Sequence, residues 1–149
     1  MLSHVHVGVS DFRRAFAFYS GVMEQLGYVL KFSKPEKSWA GWMEEGKARP
    51  LFLVGLPFNG ERPNPGNGQM VALLARSHQA IDQCYIWALD NGGSDEGRPG
   101  MRAHYHPNYY GAYFRDPDGN KICVCIHDPV EEFVEITPAT AAGTDRGKR

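Results

Sequence analysis

The amino-acid sequence predicts an α+β fold of two βαβββ modules, which form a curved mixed β-sheet cup with the helices outside. Three observations predict this fold class. A valine-rich alternating segment at residues 2–9 is followed by an amphipathic stretch that ends at Gly27. The same order of segments recurs 66 residues later along the chain. A segment rich in glycine, proline and asparagine, residues 57–68, separates the two copies.

The elements of the first module follow from its side-chain pattern. The alternation at residues 2–9 is typical of a strand. Ser10 or Asp11 is expected to cap a helix, because apolar positions then recur at helical spacing until Gly27, a common type of helix end. Three short strands are expected next, at residues 28–33, 38–44 and 50–56.

The second module repeats this order. Ser77 is expected to cap a helix over residues 78–91. Residues 97–107 are predicted to be mostly loop, with a short strand near residues 101–104. A tight Asp-Pro-Asp-Gly turn begins at Asp116. The remaining predicted strands cover residues 69–75, 109–115 and 120–127.

Aligning the two modules also predicts the domain organisation. The aligned pairs are Asp11 with Ser77, Tyr19 with Tyr85, Gly27 with Gly93 and His4 with Met70. We expect one domain over residues 1–136, with modules at about residues 2–56 and 69–128. Residues 137–149 are small and polar and are expected to be a disordered tail. Two open sheets leave a concave inner face, which is where a small molecule is expected to bind.

Composition excludes several classes of function. The net charge of −1 is spread along the chain, so no basic face is expected for nucleic acid. No apolar run is long enough for a membrane span, and no secretory signal is visible. The odd number of cysteines, three, indicates free thiols in a reducing compartment. We therefore expect a cytoplasmic protein without nucleic-acid or membrane partners.

Several short words resemble those of a known family. The words are H-V-x-V-G-V-S-D from His4, F-Y at Phe18, G-N-G from Gly66, Y-H-P-N-Y-Y from Tyr105 and D-P-D-G-N-K-I from Asp116. With the repeat, they are similar to the glyoxalase / bleomycin-resistance / extradiol-dioxygenase superfamily, the vicinal oxygen chelate fold, over residues 2–128. The resemblance implies a single-domain, glyoxalase-like member and a homodimer.

The resemblance also implies where a divalent metal would lie on the inner face. The family's metal positions correspond to His4, Met70, Cys123 and, roughly, Phe52, so one expected ligand in four is present. A thioether and a phenyl ring cannot replace the carboxylate that hard-metal chemistry requires. We therefore expect neither a standard metal-dependent glyoxalase I nor an extradiol dioxygenase, and no cofactor.

Two interpretations of these positions stay open. His4, Met70 and Cys123, with His6 or Cys125, would form a set suited to zinc or copper if they meet on one face. The favoured interpretation is a site without metal that is repacked with compact apolar groups, because methionine and buried cysteine fill core space readily. The word C-x-C-x-H at Cys123 is not a zinc finger, since no second ligand pair lies at finger spacing.

Aromatic and imidazole side chains supply the other candidate site residues. His106, or less favourably His104, could act as a general acid or base, and Tyr109 could orient a ligand; covering one end of the core is the alternative role. Trp39 and Trp42 are expected on opposite faces of one strand, so one of them should line the pocket.

The sequence is compatible with three functions. The first is metal-independent binding of a small organic molecule, of the bleomycin-resistance type. The second is a lyase or isomerase acting on a carbonyl compound, with His106 or His4 in proton transfer and with or without a non-standard metal. The third is an interaction protein whose pocket is vestigial. The predicted ligand pocket contains His6, Trp39, Phe52, Met70, His104, Tyr109, Cys123 and Cys125.

Overall fold

The structure of the chain, a computed structural model, describes residues 1–128, so the tail predicted at residues 137–149 lies outside the described residues. The order β, α, β, β, β occurs twice within them. The first module contains β1 (His4–Gly8), α1 (Phe12–Leu26), β2 (Val29–Lys34), β3 (Trp39–Met43) and β4 (Leu51–Gly55), with a 3₁₀ turn at Pro35–Lys37. The second contains β5 (Val71–Leu74), α2 (His78–Asp90), β6 (Ser94–Met101), β7 (Tyr110–Arg115) and β8 (Lys121–Ile126).

Each module forms one mixed four-stranded sheet. The strand orders are β1-β4-β3-β2 and β5-β8-β7-β6. In each sheet the first and last strands of the module pair in parallel, and the other pairs are antiparallel. The predicted α+β class with two βαβββ modules is therefore confirmed. This topology leaves β1 and β5 as edge strands.

The helix ends are those that the capping residues predict. Asp11 rather than Ser10 caps α1, since its carboxylate accepts a hydrogen bond from the Arg14 backbone N–H. Ser77 caps α2 in the same way through the Ala80 N–H. Gly27 ends α1 with a left-handed backbone. The two helices pack against each other, and the Trp87 indole N–H donates to the Phe18 carbonyl oxygen across 3.0 Å.

The prediction of a loop at residues 97–107 is wrong for its first half. β6 continues through Gly97 and Gly100 as far as Met101, and it pairs only with β7. As an edge strand it tolerates a proline without a backbone donor, and its register shifts on both sides of Gly97 absorb the irregular residues. The glycine and proline residues that predicted a loop therefore belong to an irregular edge strand.

Side chains alternate between the two faces of each sheet. On the helix side, Val7 of β1 and Val124 of β8 join one large core, which also contains Phe18, Tyr19, Met23, Ile81 and Phe114. His4 and His6 of β1 point to the other face of the first sheet, and Cys123 of β8 points to the other face of the second. The candidates His4, His6, Cys123 and Cys125 lie on these two faces.

The turn after β7 holds the two modules together. Its carboxylate Asp116 accepts a hydrogen bond of 2.6 Å from the Tyr19 hydroxyl of α1. The Asn120 amide donates to the Gly8 carbonyl oxygen at the end of β1. Asp118 accepts hydrogen bonds from the backbone N–H and the hydroxyl of Ser10. The Asp-Pro-Asp-Gly-Asn word is thus both a tight turn and a joint between modules.

Candidate functional site

An open cavity of about 760 Å³ lies on the exposed face of the first sheet. Its floor contains His4 and His6, which alternate along β1 and therefore share one face. Trp39 of β3 forms one wall. The segment between β4 and β5 covers one side, contributing Leu56, Pro57, Phe58, Asn59, Glu61, Arg62, Pro63 and Asn64. We call this space the His4 cavity.

The His4 cavity combines imidazole, aromatic and charged groups. Partial burial, and then the neighbouring His4, lower the pKa of His6, so its ring is neutral near neutral pH. The Trp39 indole packs edge-on against the Phe32 ring, with ring centroids 4.7 Å apart. Lys37 and Arg62 add positive charge to the lining. The cavity can stack a flat ligand and offers a neutral base and cationic groups.

The predicted position of Phe52 beside His4 is wrong. The parallel register aligns His4 with Leu51 and Val5 with Phe52, so Phe52 faces the helices. Its ring lies 5.1 Å from that of Tyr19 and is nearly buried. The cause is a one-residue offset, which moves a strand side chain to the opposite face. Leu53, not Phe52, lines the His4 cavity.

Met70 and Cys123 do not meet His4 at one cavity, contrary to the expectation. Met70 precedes β5 and is 46% exposed, whereas Cys123 is 1% exposed in a separate cluster of the second sheet. Neither lines the His4 cavity, to which the second module contributes only Asn120. Among residues 1–128, no group of three His, Cys, Asp or Glu side chains is placed to hold a metal ion. Within residues 1–128, the positions that the resemblance implies for a metal therefore do not come together in one cavity.

A second group of candidate residues covers the face of the second sheet that lies away from the helices. We call it the thiol cluster: Cys123 and Cys125 of β8, Tyr113 of β7, and Tyr109, His106 and His127 beside them. The Tyr109 hydroxyl lies 3.4 Å from the Cys123 sulfur. The His106 and His127 rings are joined by a contact of 2.9 Å between Nε2 and Nδ1.

The remaining aromatic candidates form the outer layer of this cluster. His104 and Tyr105 are exposed, and their rings lie 4.3 Å apart. Tyr105 in turn packs edge-on against Tyr109 at 5.0 Å. The predicted general acid or base His106 therefore lies with the thiols rather than in the His4 cavity.

Several residues that line these sites are not among the predicted site residues. Lys37 reaches the His4 cavity from the 3₁₀ turn at Pro35–Lys37, and Arg62 and Asn120 reach it from loops. No local pattern indicates where such connecting segments fold. The position of Tyr113 and His127 beside the thiols could have been predicted from the sequence. His127 continues the alternation of Cys123 and Cys125, and Tyr113 is directly opposite Cys123 in the ladder.

An apolar groove runs between the edge strands β1 and β5. It is lined on one side by Leu2, Val5, Leu51 and Phe52 and on the other by residues 71–74 of β5. Glu44, Lys47 and Arg49 also line it. The Leu74 side chain is 59% exposed, while the Leu74 carbonyl oxygen accepts a hydrogen bond from the Tyr28 hydroxyl. We call this feature the inter-sheet groove.

Two βαβββ modules, each with one mixed four-stranded sheet, define a class of small α+β proteins. The family model described as Glyoxalase/Bleomycin resistance protein/Dioxygenase superfamily matches residues 1–124. The chain belongs to this superfamily, as the sequence words indicated. No curated protein matches the chain by sequence.

Solved structures of the same superfamily share the fold. A glyoxalase/bleomycin resistance protein from Albidiferax ferrireducens T118 is 34% identical, with a TM-score of 0.75 over 84% of this chain and 98% of that one. A glyoxalase-related enzyme from Fulvimarina pelagi is 18% identical, with a TM-score of 0.61 over 84% and 86% of the two chains. A family enzyme from Burkholderia phytofirmans PsJN is 19% identical, with a TM-score of 0.59 over 83% and 95%.

Within residues 1–128, neither helix combines the length and the apolar character that crossing a bilayer requires.

Proposed function

We propose that this chain binds a small organic molecule in the His4 cavity, without the divalent metal that the superfamily resemblance implies. The observation that carries the proposal is the cavity itself, about 760 Å³ in volume and lined by His4, His6 and Trp39. Small-molecule pockets are usually about 300–1,000 Å³ and combine apolar walls with a few polar groups. The poor fit of the donor set to a hard metal supports binding without one.

The lining favours a flat ligand that carries an acidic group. Trp39 offers an indole ring to a planar molecule. Lys37 and Arg62 supply two positive charges against the single negative charge of Glu61, and an arginine fork suits a carboxylate. We therefore infer that aromatic carboxylates are the first ligands to test.

Thermal unfolding with added ligand tests this proposal. Benzoate, salicylate and indole-3-carboxylate would be compared with their amides, in buffer containing EDTA. A ligand at ten times its Kd stabilises the folded state by about 1.4 kcal/mol, which raises Tm by about 3–6 °C. We expect this shift for the carboxylates in wild type and in the distant variant Tyr105→Leu, and its loss in Trp39→Leu.

Two results would contradict the proposal. The absence of any change in Tm across a wider panel of organic acids and carbonyl compounds would show that the His4 cavity does not bind such molecules. A shift that EDTA abolishes and that zinc or nickel restores would show that binding needs a metal after all.

The second candidate function is a lyase or isomerase that acts on a carbonyl compound. The His6 ring favours it, since its lowered pKa keeps the imidazole unprotonated at neutral pH and therefore free to accept a proton from a carbon beside a carbonyl. Deuterium exchange of such protons, followed by NMR with EDTA present, tests it. Loss in His4→Gln or His6→Gln but not in His106→Gln would assign the chemistry to the His4 cavity, and the reverse pattern would assign it to His106.

We also infer that two copies of the chain pair through the inter-sheet groove and that the protein works in the cytoplasm. Both edge strands contribute apolar side chains to this groove. Cys84, Cys123 and Cys125 are all free, as expected in a reducing compartment. The pairing is tested by the prediction for Leu74 below.

A further inference from the structure

Phe58 is the most exposed aromatic side chain among residues 1–128, although it lines the His4 cavity. Its ring lies fully in solvent, so it contributes no burial to the fold. A single exposed apolar residue is ordinary on most of a protein surface. At the rim of a cavity, however, an exposed aromatic ring is a contact surface for whatever enters the cavity.

A tight turn holds Phe58 at this rim. The Gly60 backbone N–H donates to the Pro57 carbonyl oxygen across 3.0 Å, which is the closing hydrogen bond of a β-turn. Phe58 and Asn59 occupy the two central positions of this turn. The Asn59 side-chain oxygen accepts a second hydrogen bond from the Glu61 N–H. These contacts are local, so the turn forms without any contribution from the Phe58 ring.

The segment that contains this turn is anchored beside the cavity floor. Gly8 follows His6 on the same face of β1, and both residues line the His4 cavity. Carbon atoms of Pro57 and Pro63 each lie 3.6 Å from the point that a Cβ atom would occupy at Gly8. The two prolines therefore pack on the first sheet on either side of the turn, which leaves Phe58 between two fixed points.

The opposite wall of the cavity meets its floor at Gly55. Gly55 pairs with Trp39 in the ladder between β3 and β4. A Cβ atom at Gly55 would lie 3.1 Å from Nε2 of His6 and 3.2 Å from Cδ1 of Trp39, so glycine is what lets these two rings lie close together. Phe58 follows only three residues later, within about 11 Å of extended chain. Its ring is therefore tethered next to the place where the indole and the imidazole meet.

We propose that Phe58 is a specificity-determining residue of the His4 cavity, whose ring covers the aromatic ring of a bound ligand on the side away from Trp39. This inference rests on the proposed binding of aromatic carboxylates in the same cavity. Arg62, four residues further along the segment, also lines the cavity. One short segment thus offers an aromatic ring and a guanidinium to a ligand that carries a flat ring and an acid group.

Titration calorimetry with matched ligands is the first test. Indole-3-carboxylate and benzoate would be compared with cyclohexanecarboxylate, in which the ring is saturated. Phe58→Leu keeps an apolar side chain but removes the aromatic ring. We expect this variant to raise the Kd of the two aromatic acids by about fivefold and that of the saturated acid by less than about twofold.

Two further variants are controls for this comparison. Phe58→Tyr keeps the aromatic ring and should bind all three acids as wild type does. Ile86→Ala shortens an exposed apolar side chain of α2, away from the cavity, and should leave each Kd unchanged. Because the Phe58 ring is exposed, Phe58→Leu should also keep the Tm of the protein without added ligand.

Limited proteolysis is the second test, because it reports on Phe58 directly. Chymotrypsin cleaves after aromatic residues in exposed segments, and Phe58 and Tyr105 are two such residues on different segments. We expect saturating indole-3-carboxylate to slow cleavage after Phe58 by at least about fivefold. Cleavage after Tyr105 should continue at its original rate, which distinguishes a covered ring from a general stabilisation of the protein.

Three results would overturn the proposal while ligand binding in the His4 cavity still holds. Aromatic acids could bind Phe58→Leu as tightly as wild type. A ligand that raises the Tm of wild type could leave cleavage after Phe58 unchanged. Phe58→Leu could lose pairing in light scattering, which would assign the ring to a contact between copies of the chain. If no carboxylate raises the Tm of wild type, the proposed function itself fails and this inference fails with it.

Discussion

Asp116 shows how much one buried charge can contribute to this fold. It is 3% exposed, and within residues 1–128 no other charged side chain is as deeply buried. Its carboxylate accepts hydrogen bonds from the Tyr19 hydroxyl, the Asn120 amide and the backbone N–H groups of Asp118 and Asn120. The Asp116 carboxylate is therefore the hydrogen-bond acceptor for all four of these donors.

The substitution Asp116→Asn should lower the free energy of unfolding by about 2–4 kcal/mol. Asparagine replaces one carboxylate oxygen with an NH₂ group, which cannot accept the hydrogen bonds that this oxygen accepted. The substitution also removes the negative charge that strengthens the remaining hydrogen bonds. Urea unfolding of the two proteins measures the effect. Asp90→Asn, at an exposed position of α2, is the matched control and should stay within about 0.5 kcal/mol of wild type. An equally small effect at Asp116 would show that the joint does not stabilise the fold.

His6 makes the stability of the protein depend on pH. Burial, followed by His4, lowers its pKa in the folded state, whereas the unfolded chain keeps the ordinary value of about 6.5. As pH falls through about 6.5, the unfolded state therefore takes up protons before the folded state does, and stability decreases until the folded pKa is passed.

We expect His6→Gln to flatten this decrease between pH 7 and pH 5. Urea unfolding at several pH values measures the slope in wild type and in the variant. His104→Gln, which changes an exposed imidazole in the segment between β6 and β7, controls for the loss of one histidine. Parallel slopes in wild type and His6→Gln would show that other groups cause the acid sensitivity.

At the scale of elements, the contact between the two helices depends on a glycine. Gly21 lies in the middle of α1, where alanine would normally stabilise a helix by about 0.5–1 kcal/mol. Here a methyl group at Gly21 would come within 1.9 Å of the Trp87 ring of α2. Such an approach is far inside van der Waals contact, so the ring or the helix has to move.

Gly21→Ala should therefore destabilise the protein by about 1–3 kcal/mol, opposite in sign to its helix propensity. Thermal and urea unfolding measure the change. The same substitution in a Trp87→Leu background should cost less, because the clashing ring is absent. Glu24→Ala, on the exposed side of α1, should be nearly neutral. A stabilised Gly21→Ala protein would contradict the close packing of the helices.

Local patterns predict most elements of this fold because each is specified by nearby residues. The caps at Asp11 and Ser77, the end of α1 at Gly27 and the alternation of β1 depend on short-range chemistry. β6 was partly missed because an edge strand accepts glycine, proline and bulges that usually indicate a loop. Its existence follows from pairing with β7, which is a long-range property.

The candidate site was less predictable than the fold. Alternation along β1 and β3 is enough to place His4, His6 and Trp39 on one face. An error of one residue in the predicted alignment of β4 with β1 placed Phe52 on the cavity face instead of the helix face. Whether Cys123 meets His4 depends on how two sheets are arranged in space, and no local pattern contains that information.

At the scale of the whole molecule, the two modules are joined along one side and open along the other. The joined side contains the packed helices and the turn that begins at Asp116. The other side contains the edge strands β1 and β5 with the inter-sheet groove between them. Unpaired edges and exposed apolar side chains such as Leu74 favour contact with another chain. In the dimer that we propose, a second copy of this chain would cover both of these edges by symmetry.

We expect wild type to be a dimer in light scattering after size exclusion, and Leu74→Glu to be a monomer. A carboxylate buried in an apolar contact without a partner costs about 3 kcal/mol or more, which weakens pairing at least about 100-fold. Leu74 is 59% exposed in the single chain, so the variant should keep its Tm at a concentration where both proteins are monomeric. Ile86→Glu, a similar change at a half-exposed position of α2, should remain a dimer. A monomeric wild type, or a monomeric Ile86→Glu beside a dimeric Leu74→Glu, would show that the groove is not the surface through which copies pair.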